Sequence, residues 1–538
     1  MPETTVGVFL TLLIIVVLVA AVVRRLHIPA SVALVVVGGA IAFVPGVPSF
    51  VLSPGIILTL FLPVLLFHGA YRLDLRDVRR NLVVITTLAF PGVLLTAALV
   101  GLALHVVAQL PWLTALLFGA IVAATDPVAV LALFGEVGAP RRLAAIVTGE
   151  SLFNDGTALV VFATLLSTIT GHVVTPLGVT EQVLIEVVGG IALGIGVGIL
   201  GGLLLARFDD ALLETAVTLI LAYGGYLLAT AIGSSGPLET VTAALTLGAR
   251  GRRVMSPTTR VAAGATWEFL DFLANSLLFL LVGLQLRPIA ELSLAQGAPN
   301  LVWQLLGTIL AVVLARMVVV GLTVGVLILR RTPLPAHWGR VLVWAGLRGA
   351  VSLAAALSLP LAYPDRALLL TLTFGIVLFT LLVQGLTLAP LLTRWGILAA
   401  TATTAFEVAW GRVQMLIAAQ HELVRFRQEA RAATPTLDAL EAQYTTQLQE
   451  QQQILAECYT QNATLVQEEA HTTQLHLLRV QREAVREAGE QGRLSSAALH
   501  TVLDDLDAQV LRAEDPARSR LDAVMGETYA EPVTEEPA

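Results

Sequence analysis

Residues 149–156 read Gly-Glu-Ser-Leu-Phe-Asn-Asp-Gly, and this polar stretch lies inside an apolar run from Leu143 to Thr170. A helix needs about 20 apolar residues to cross the roughly 30 Å hydrocarbon core of a bilayer. Carboxylates at that depth are costly unless they face an internal cavity or a partner. The stretch therefore predicts a membrane-spanning helix that carries a functional site.

The whole chain has the composition of an integral membrane protein. Of its 538 residues, 56% are hydrophobic and 13% are charged, whereas soluble domains carry about 25% charged residues. All 32 positively charged residues are arginines, and Cys458 is the sole cysteine, which excludes a disulfide framework and a Cys-based metal cluster. Residues 1–400 carry 21 arginines and 17 carboxylates, whereas residues 401–538 carry 11 and 22. We expect a transmembrane domain over 1–400 and a cytoplasmic domain over 401–538.

Thirteen apolar runs predict an all-α polytopic membrane fold with about 13 transmembrane helices. The first seven are Val6–Val23, Ile28–Val44, Gly55–Ala70, Leu82–Val107, Leu113–Phe134, Leu143–Thr170 and Val183–Ala206. The other six are Leu212–Ile232, Pro237–Gly248, Val261–Leu286, Leu301–Leu329, Val341–Leu359 and Ala367–Leu392.

The arginines are distributed unevenly between the two sides of these runs. Seventeen arginines follow odd-numbered runs, and two, Arg287 and Arg366, follow even-numbered ones. Because short Arg-rich loops stay in the cytoplasm, this bias predicts an external N-terminus and a cytoplasmic C-terminus. An odd number of helices agrees with that orientation. We expect a multi-pass protein of the cell inner (plasma) membrane.

The region after residue 400 is predicted to be helical, with breaks near Pro435 and between Gly489 and Gly492. Leu475, Leu478 and Val485 suggest an amphipathic face that packs on a partner helix. We interpret this region as a helical regulatory or assembly domain. The stretch from Thr528 is rich in Glu and Pro and reads as disordered.

Nine ionisable residues are predicted at membrane depth, and each is a candidate for function. They are His68, Asp126, Glu150, Asp155, Glu239, Glu268, Asp271, Arg316 and Arg348. At 100° per residue, Ser151 and Asp155 share one helix face, and Glu150 and Asn154 share an adjoining one. A carboxylate one turn from a hydroxyl suits a hard monovalent cation, which prefers oxygen ligands. The alternative is that Ser151 and Asn154 only hold helices together.

Two runs carry interruptions. Pro127 removes a backbone donor and disfavours helix at Asp126, which follows Thr125. In the twelfth run, glycines at 346 and 349 bracket Arg348. Broken helices in both halves of a chain point to an inverted-repeat transporter with its site near the midplane. A simple proline kink is the alternative at Pro127.

Arg316 lies within the apolar eleventh run and needs an anion, because its guanidinium stays charged. Glu150 is the natural partner, since that pairing leaves Asp155 free to bind ions. Pairing with Asp155 instead would make the site inert, and the two arrangements stay open at this point.

These motifs, Thr125-Asp126-Pro127, residues 149–156 and Gly346-Leu347-Arg348-Gly349-Ala350, together resemble the monovalent cation:proton antiporters of the sodium/proton exchanger (NhaP/NHE-like) family. Phe61-Leu62-Pro63 with Phe67 and Tyr71, and Trp267-Glu268-Phe269 with Asn275-Ser276, are similar to it as well. The resemblance implies thirteen helices, a homodimer, and a core that moves against a dimerisation domain.

The resemblance also implies roles for individual residues. Asp155 would be the ion- and proton-binding carboxylate, with Asp126, Thr125, Ser151 and Asn154 completing the site. Glu150 and Arg316 would form a structural ion pair.

Three positions depart from the family pattern. His68 stands where relatives commonly carry Asp or Glu; it is read either as a neutral core histidine or as a pH-responsive group on the ion path. Arg348, which lies in one of the matching motifs, is a further candidate for the ion path or gate. Thr230 stands where a glutamate often follows alanine, and Glu239 stands where a small residue is usual.

The sequence thus predicts antiport of Na⁺, or alternatively K⁺, against H⁺, with one proton exchanged per cation because Asn154 is neutral. A gated monovalent cation channel is the alternative function. The chain lacks His-Glu-x-x-His and Gly-x-Ser-x-Gly, so we expect no enzymatic activity. We expect no cofactor and no nucleic-acid partner; the expected partners are the ions, the lipid bilayer and a second copy of the chain.

Overall fold

The computed structural model describes residues 2–26, 29–45, 54–171, 176–208, 210–295, 301–332, 334–395, 401–429, 434–461, 474, 477–478, 480–489, 491, 493–494 and 496–514. The chain separates into two compact units, Met1–Leu398 and Ala399–Ala538. Every regular element in the described residues is helical.

Ten α-helices lie in the described residues of the first half of the membrane unit. They are α1 Pro2–Leu26, α2 Ala30–Ala42, α3 Pro54–Ile56, α4 Leu62–Arg72, α5 Leu75–Arg80, α6 Leu82–Ala89, α7 Pro91–Val107, α8 Trp112–Ile121, α9 Val128–Val137 and α10 Arg141–Ile169. A π-helical segment, Ile57–Phe61, joins α3 to α4.

The part of the second half that the structure describes contains ten more. They are α11 Pro176–Leu205, α12 Ala211–Ala231, α13 Gly236–Val254, α14 Pro257–Leu284, α15 Leu286–Ala295, α16 Leu301–Leu329, α17 Ala336–Trp344, α18 Ala350–Leu357, α19 Arg366–Phe379 and α20 Gly385–Arg394. The π-helical segment Thr380–Gln384 joins α19 to α20.

Seven spans of the described chain are long and apolar enough to cross a membrane, and four shorter apolar helices accompany them. The seven are Leu82–Val107, Arg141–Ile169, Glu181–Leu205, Ala211–Ala231, Pro257–Glu291, Leu301–Leu329 and Arg366–Arg394. The all-helical membrane fold is therefore confirmed, while the count of thirteen crossings and the inverted repeat stay predictions.

Two of the predicted runs are not continuous helices, as expected. The run 113–134 divides into α8 and α9, and the run 341–359 divides into α17 and α18. One further interruption was not predicted: the run 82–107 is divided into α6 and α7 at Phe90. Pro91 follows directly, and a proline disfavours helical geometry at the residue before it.

Close backbone packing brings α2 against α14. A Cβ on Gly38 would overlap the carbonyl oxygen of Leu280, and a Cβ on Gly283 would overlap that of Val35. Small residues at such a crossing let two helix backbones approach where the surrounding lipid supplies no hydrophobic driving force. This contact fixes α14, whose inner face lines the cavity described below.

The second unit contains the helices Thr401–Gln428, Thr434–Gln461 and Ser496–Glu514. The first two pack together through Ala409, Val413 and Leu455. Pro435 lies in the first turn of its helix, where proline is tolerated. Of the predicted amphipathic face, Leu478 is buried and Val485 is half-buried, whereas Leu475 and the stretch from Thr528 lie outside the described residues.

Candidate ion-binding site

The two helix breaks meet in the middle of the membrane unit. Residues 122–127 and 345–349 are not helical, and the backbone N–H of Asp126 donates to the carbonyl of Leu347 at 2.8 Å. Non-helical backbone at this depth persists only where its polar groups find partners or line a cavity. Where the two breaks cross, a backbone group of one break finds its hydrogen-bond partner in the other.

Arg348 holds the crossing together from the second break. It is 1% exposed, and its Nη1 donates to the carbonyls of Ala123 and Ala124 at 3.2 Å each. Its backbone N–H donates to Thr380 Oγ1 at 3.0 Å. A cation is favourable there because these carbonyls directly follow the C-terminus of α8, the negative end of its dipole. Arg348, named above as a candidate for the ion path or gate, does not line the cavity described below.

The polar face of α10 is tied to the first break. The Ser151 hydroxyl donates to the carbonyl of Thr125. Asn154 Nδ2 donates to Thr125 Oγ1 at 2.5 Å, and Asn154 Oδ1 accepts from the backbone N–H of Thr125 at 3.2 Å. Thr125, Ser151 and Asn154 thus form one buried network that sets the position of the break against α10.

Glu150 on α10 pairs with Arg316 on α16. Both guanidinium Nη atoms donate to the carboxylate, Nη2 at 2.9 Å, and Arg316 Nε donates to the carbonyl of Leu342 at 2.9 Å. A bidentate pair of this kind is the strong form of a buried charge interaction. Of the two arrangements left open by the sequence, the structure places Arg316 against Glu150.

Asp155 lies one turn beyond Ser151 and differs from Glu150 in having no such partner. It is 7% exposed, and among the described residues its Oδ1 has no hydrogen-bond partner. Both Asp155 and Ser151 line a cavity of about 810 Å³. A carboxylate that is buried, unpaired and reached by a cavity is expected to take up a proton or a cation, because either neutralises its charge.

Asp126 and His68 line the same cavity. Asp126 Oδ1 accepts the backbone N–H of Val128 at 2.9 Å, so this carboxylate also caps the N-terminus of α9. His68 on α4 is 7% exposed, and its Nδ1 has no partner in the described part of the chain. The cavity continues past these groups to Arg72 and Arg141, which are exposed.

Two polar residues that reach the cavity were given no role at the site from the sequence. Asp271, named there as one of nine candidates for function, and Asn275, named in a family-like motif, line the cavity from α14. Glu268, one turn before Asp271, is exposed. Glu239 on α13 is fully buried away from this cavity, and its carboxylate lies against Gly225 on α12.

Two crossed helix breaks beside a cavity that ends at an unpaired carboxylate define the site of an ion-coupled secondary transporter. The sequence matches the model of the family described as sodium/hydrogen exchanger, transmembrane, over residues 11–394. The chain belongs to the sodium/hydrogen exchanger family.

Individual relatives agree with this assignment. The Na⁺/H⁺ antiporter ApNhaP of Aphanothece halophytica is 40% identical over 383 residues, covering 69% of this chain and 70% of the relative. The Na⁺/H⁺ antiporter NhaP of Pseudomonas aeruginosa is 40% identical over 353 residues, covering 63% and 81%. The fold is similar to that of the sodium proton antiporter MjNhaP1 from Methanocaldococcus jannaschii, with a TM-score of 0.60 and 21% identity over 74% of this chain and 99% of that one.

Proposed function

We propose that this chain exchanges a monovalent cation, Na⁺ or K⁺, for H⁺ across the membrane, with Asp155 binding either ion in turn. The observation that carries the proposal is the unpaired, buried Asp155 carboxylate at the end of the cavity. Membership of the sodium/hydrogen exchanger family and the names of the antiporter relatives support the same reaction. These relatives are named as antiporters, which leaves the alternative of a gated channel without support.

The mechanism follows from the cost of an uncompensated charge in a low-dielectric barrier. A proton on Asp155, or a partly dehydrated cation against it, neutralises the site, whereas the empty anionic site is expensive to move. The hydroxyl of Ser151 and the oxygens of Thr125 and Asp126 are the further ligands within the network. Since only occupied states cross, proton movement in one direction is coupled to cation movement in the other.

The stoichiometry is one proton per cation. Asp155 is the unpaired titratable group in the polar stretch of α10, because Asn154 is an amide and Glu150 is neutralised by Arg316. Exchange of one unit charge for another moves no net charge. Proteoliposomes on a solid-supported membrane should therefore show proton flux without a transport current, and a robust Na⁺-driven current would refute this ratio.

Replacing the shared carboxylate is the direct test. Asp155→Asn keeps the size of the side chain, but the amide cannot take up and release a proton and has no negative charge to bind a cation. We therefore expect a folded protein with no exchange. The assay is pH-gradient-driven uptake in vesicles, run with Na⁺ and with K⁺ separately, and it also ranks the two ions. Wild-type uptake by Asp155→Asn would reject the assignment of this residue.

The cellular setting is part of the same proposal. The protein would lie in the plasma membrane, and the arginine distribution supports an N-terminus outside and a C-terminus in the cytoplasm. The resemblance to the family supports a homodimer, which light scattering of the purified protein can test. The proposed activity is transport without enzymatic chemistry or a cofactor.

A further inference from the structure

A second carboxylate lines the cavity from α14. Asp271, Asn275 and Leu278 line the cavity, and their spacing places them along one face of α14. Ser151, Leu152 and Asp155 line it from α10. Asp271 interacts electrostatically both with the exposed Arg72 and with Asp126 at the first helix break, so it lies within reach of the exposed end of the cavity and of the break.

The environment of Asp271 holds its side chain without neutralising it. Asn275 Nδ2 donates to Asp271 Oδ1 at 3.0 Å, one turn along the same helix. The charged groups that act on Asp271 are Arg72, Asp126 and Glu268. Arg72, the cation among them, is exposed, so solvent screens its attraction for Asp271. An amide donor orients a carboxylate but leaves its negative charge available.

A second observation on the cavity wall points to a ligand. His68 on α4 is 93% buried and lines the cavity, yet its Nδ1 has no hydrogen-bond partner among the residues described. Buried polar atoms in native proteins are normally satisfied by protein, water or a bound group. The free ring nitrogen therefore marks a position where a hydrated ion or its water completes the wall.

We infer that Asp271, oriented by Asn275 and assisted by His68, forms an entrance site at which a partly hydrated monovalent cation binds before it reaches Asp155. The inference rests on the proposed function, because Asp155 must receive the ion. A carboxylate on the wall of a cavity concentrates cations there and lowers the cost of removing their water. Asp271 does not belong to the network of Thr125, Ser151 and Asn154. Its loss weakens cation capture and leaves the exchange step intact.

The test compares Asp271→Asn with Glu268→Gln in inside-out vesicles, where the cytoplasmic side faces the added Na⁺. We expect Asp271→Asn to raise the KM for Na⁺ about tenfold, which corresponds to about 1.4 kcal/mol, with kcat close to that of the wild type. Glu268→Gln removes an exposed carboxylate one turn away on the same helix and should leave both parameters unchanged.

A rescue experiment separates ion capture from a structural role. His68→Asp returns a carboxylate to the wall of the same cavity, so the double variant Asp271→Asn with His68→Asp should regain most of the lost affinity. Asp271→Glu alone should keep a KM near that of the wild type. Loss of the Asn275 hydrogen bond by itself predicts no such rescue.

Three outcomes overturn the inference. They are an unchanged KM in Asp271→Asn, a fall in kcat that the double variant does not reverse, and failure of both Asp271→Asn and Asp271→Ser to fold, which would make Asp271 a structural residue. Asp155→Asn is measured beside them. If that variant still exchanges ions, the proposed function fails, whereas an inactive Asp155→Asn with a normal Asp271→Asn rejects the entrance site alone.

Discussion

Three buried charged residues differ in whether the protein supplies a partner for their charge. Glu150 receives both Nη atoms of Arg316, and Arg348 donates to two main-chain carbonyls. Asp155 Oδ1 has no protein partner within the described residues. Taking a charge out of water costs several kcal/mol unless a partner compensates it. The first two groups are compensated by the fold itself, so the remaining one depends on an ion from outside.

The Glu150–Arg316 pair gives a prediction about stability. Arg316→Ala leaves a buried carboxylate without its partner, so we expect the free energy of unfolding to fall by about 3–5 kcal/mol. The measurement is thermal unfolding of the purified protein in detergent. The double variant Glu150→Gln with Arg316→Gln removes both charges and should recover much of that loss.

A matched control for this prediction is Arg330→Ala. Arg330 follows α16 directly and is exposed, so its removal should leave the melting temperature unchanged. An Arg316→Ala protein as stable as the Arg330→Ala protein would contradict the view that the buried pair is needed to offset the charge of Glu150.

At the scale of elements, the membrane unit depends on the crossing of four half-helices. The C-terminus of α8 faces the guanidinium of Arg348, and the N-terminus of α9 is capped by Asp126. Helix dipoles favour a cation at the first of these ends and an anion at the second. The backbone bond from Asp126 to Leu347 joins the two breaks, so the second broken helix supplies partners to the backbone of the first.

Gly349 makes this close approach possible, so replacing it tests the crossing. A Cβ at position 349 would overlap the carboxylate of Asp126. We expect Gly349→Ala to push the breaks apart, with exchange activity reduced at least about tenfold and stability lowered by about 1–3 kcal/mol. Vesicle transport and thermal unfolding measure the two effects.

Gly339→Ala is the control within α17, the half-helix that leads to the second break. A Cβ there would lie 3.8 Å from Val324 Cγ2, an ordinary van der Waals contact. This variant should behave as the wild type in both assays. Equal activity of the two alanine variants would show that the crossing tolerates a wider separation than the packing implies.

For the whole molecule, the orientation in the membrane decides what the cavity does. The exposed Arg72 and Arg141 lie on the cavity wall, and both follow odd-numbered runs, the side that the arginine bias assigns to the cytoplasm. With the orientation proposed above, we expect the cavity to lead from the cytoplasm to Asp155, so that the site exchanges ions with the cell interior.

Cysteine labelling tests this orientation in a Cys458→Ser background, which is free of other cysteines. Leu361→Cys lies between α18 and α19 at a position that is 88% exposed, and we expect an impermeant maleimide to label it in intact cells. Thr332→Cys lies between α16 and α17 and is exposed; it should label only after permeabilisation. The reverse pattern would invert the topology and the direction in which the cavity opens.

The sequence by itself determined the membrane class, the helical fold and the two interruptions, because hydropathy, proline and glycine act locally along the chain. It also identified Glu150 and Asp155 as intramembrane carboxylates on one helix. Only the tertiary structure decided which of them Arg316 neutralises, since Arg316 is 166 residues from Glu150 in the chain. The same holds for Arg348 at the carbonyls of Ala123 and Ala124 and for Asp271 on the cavity wall. Their surroundings depend on how distant helices pack, and helical periodicity carries no information about which helix lies opposite.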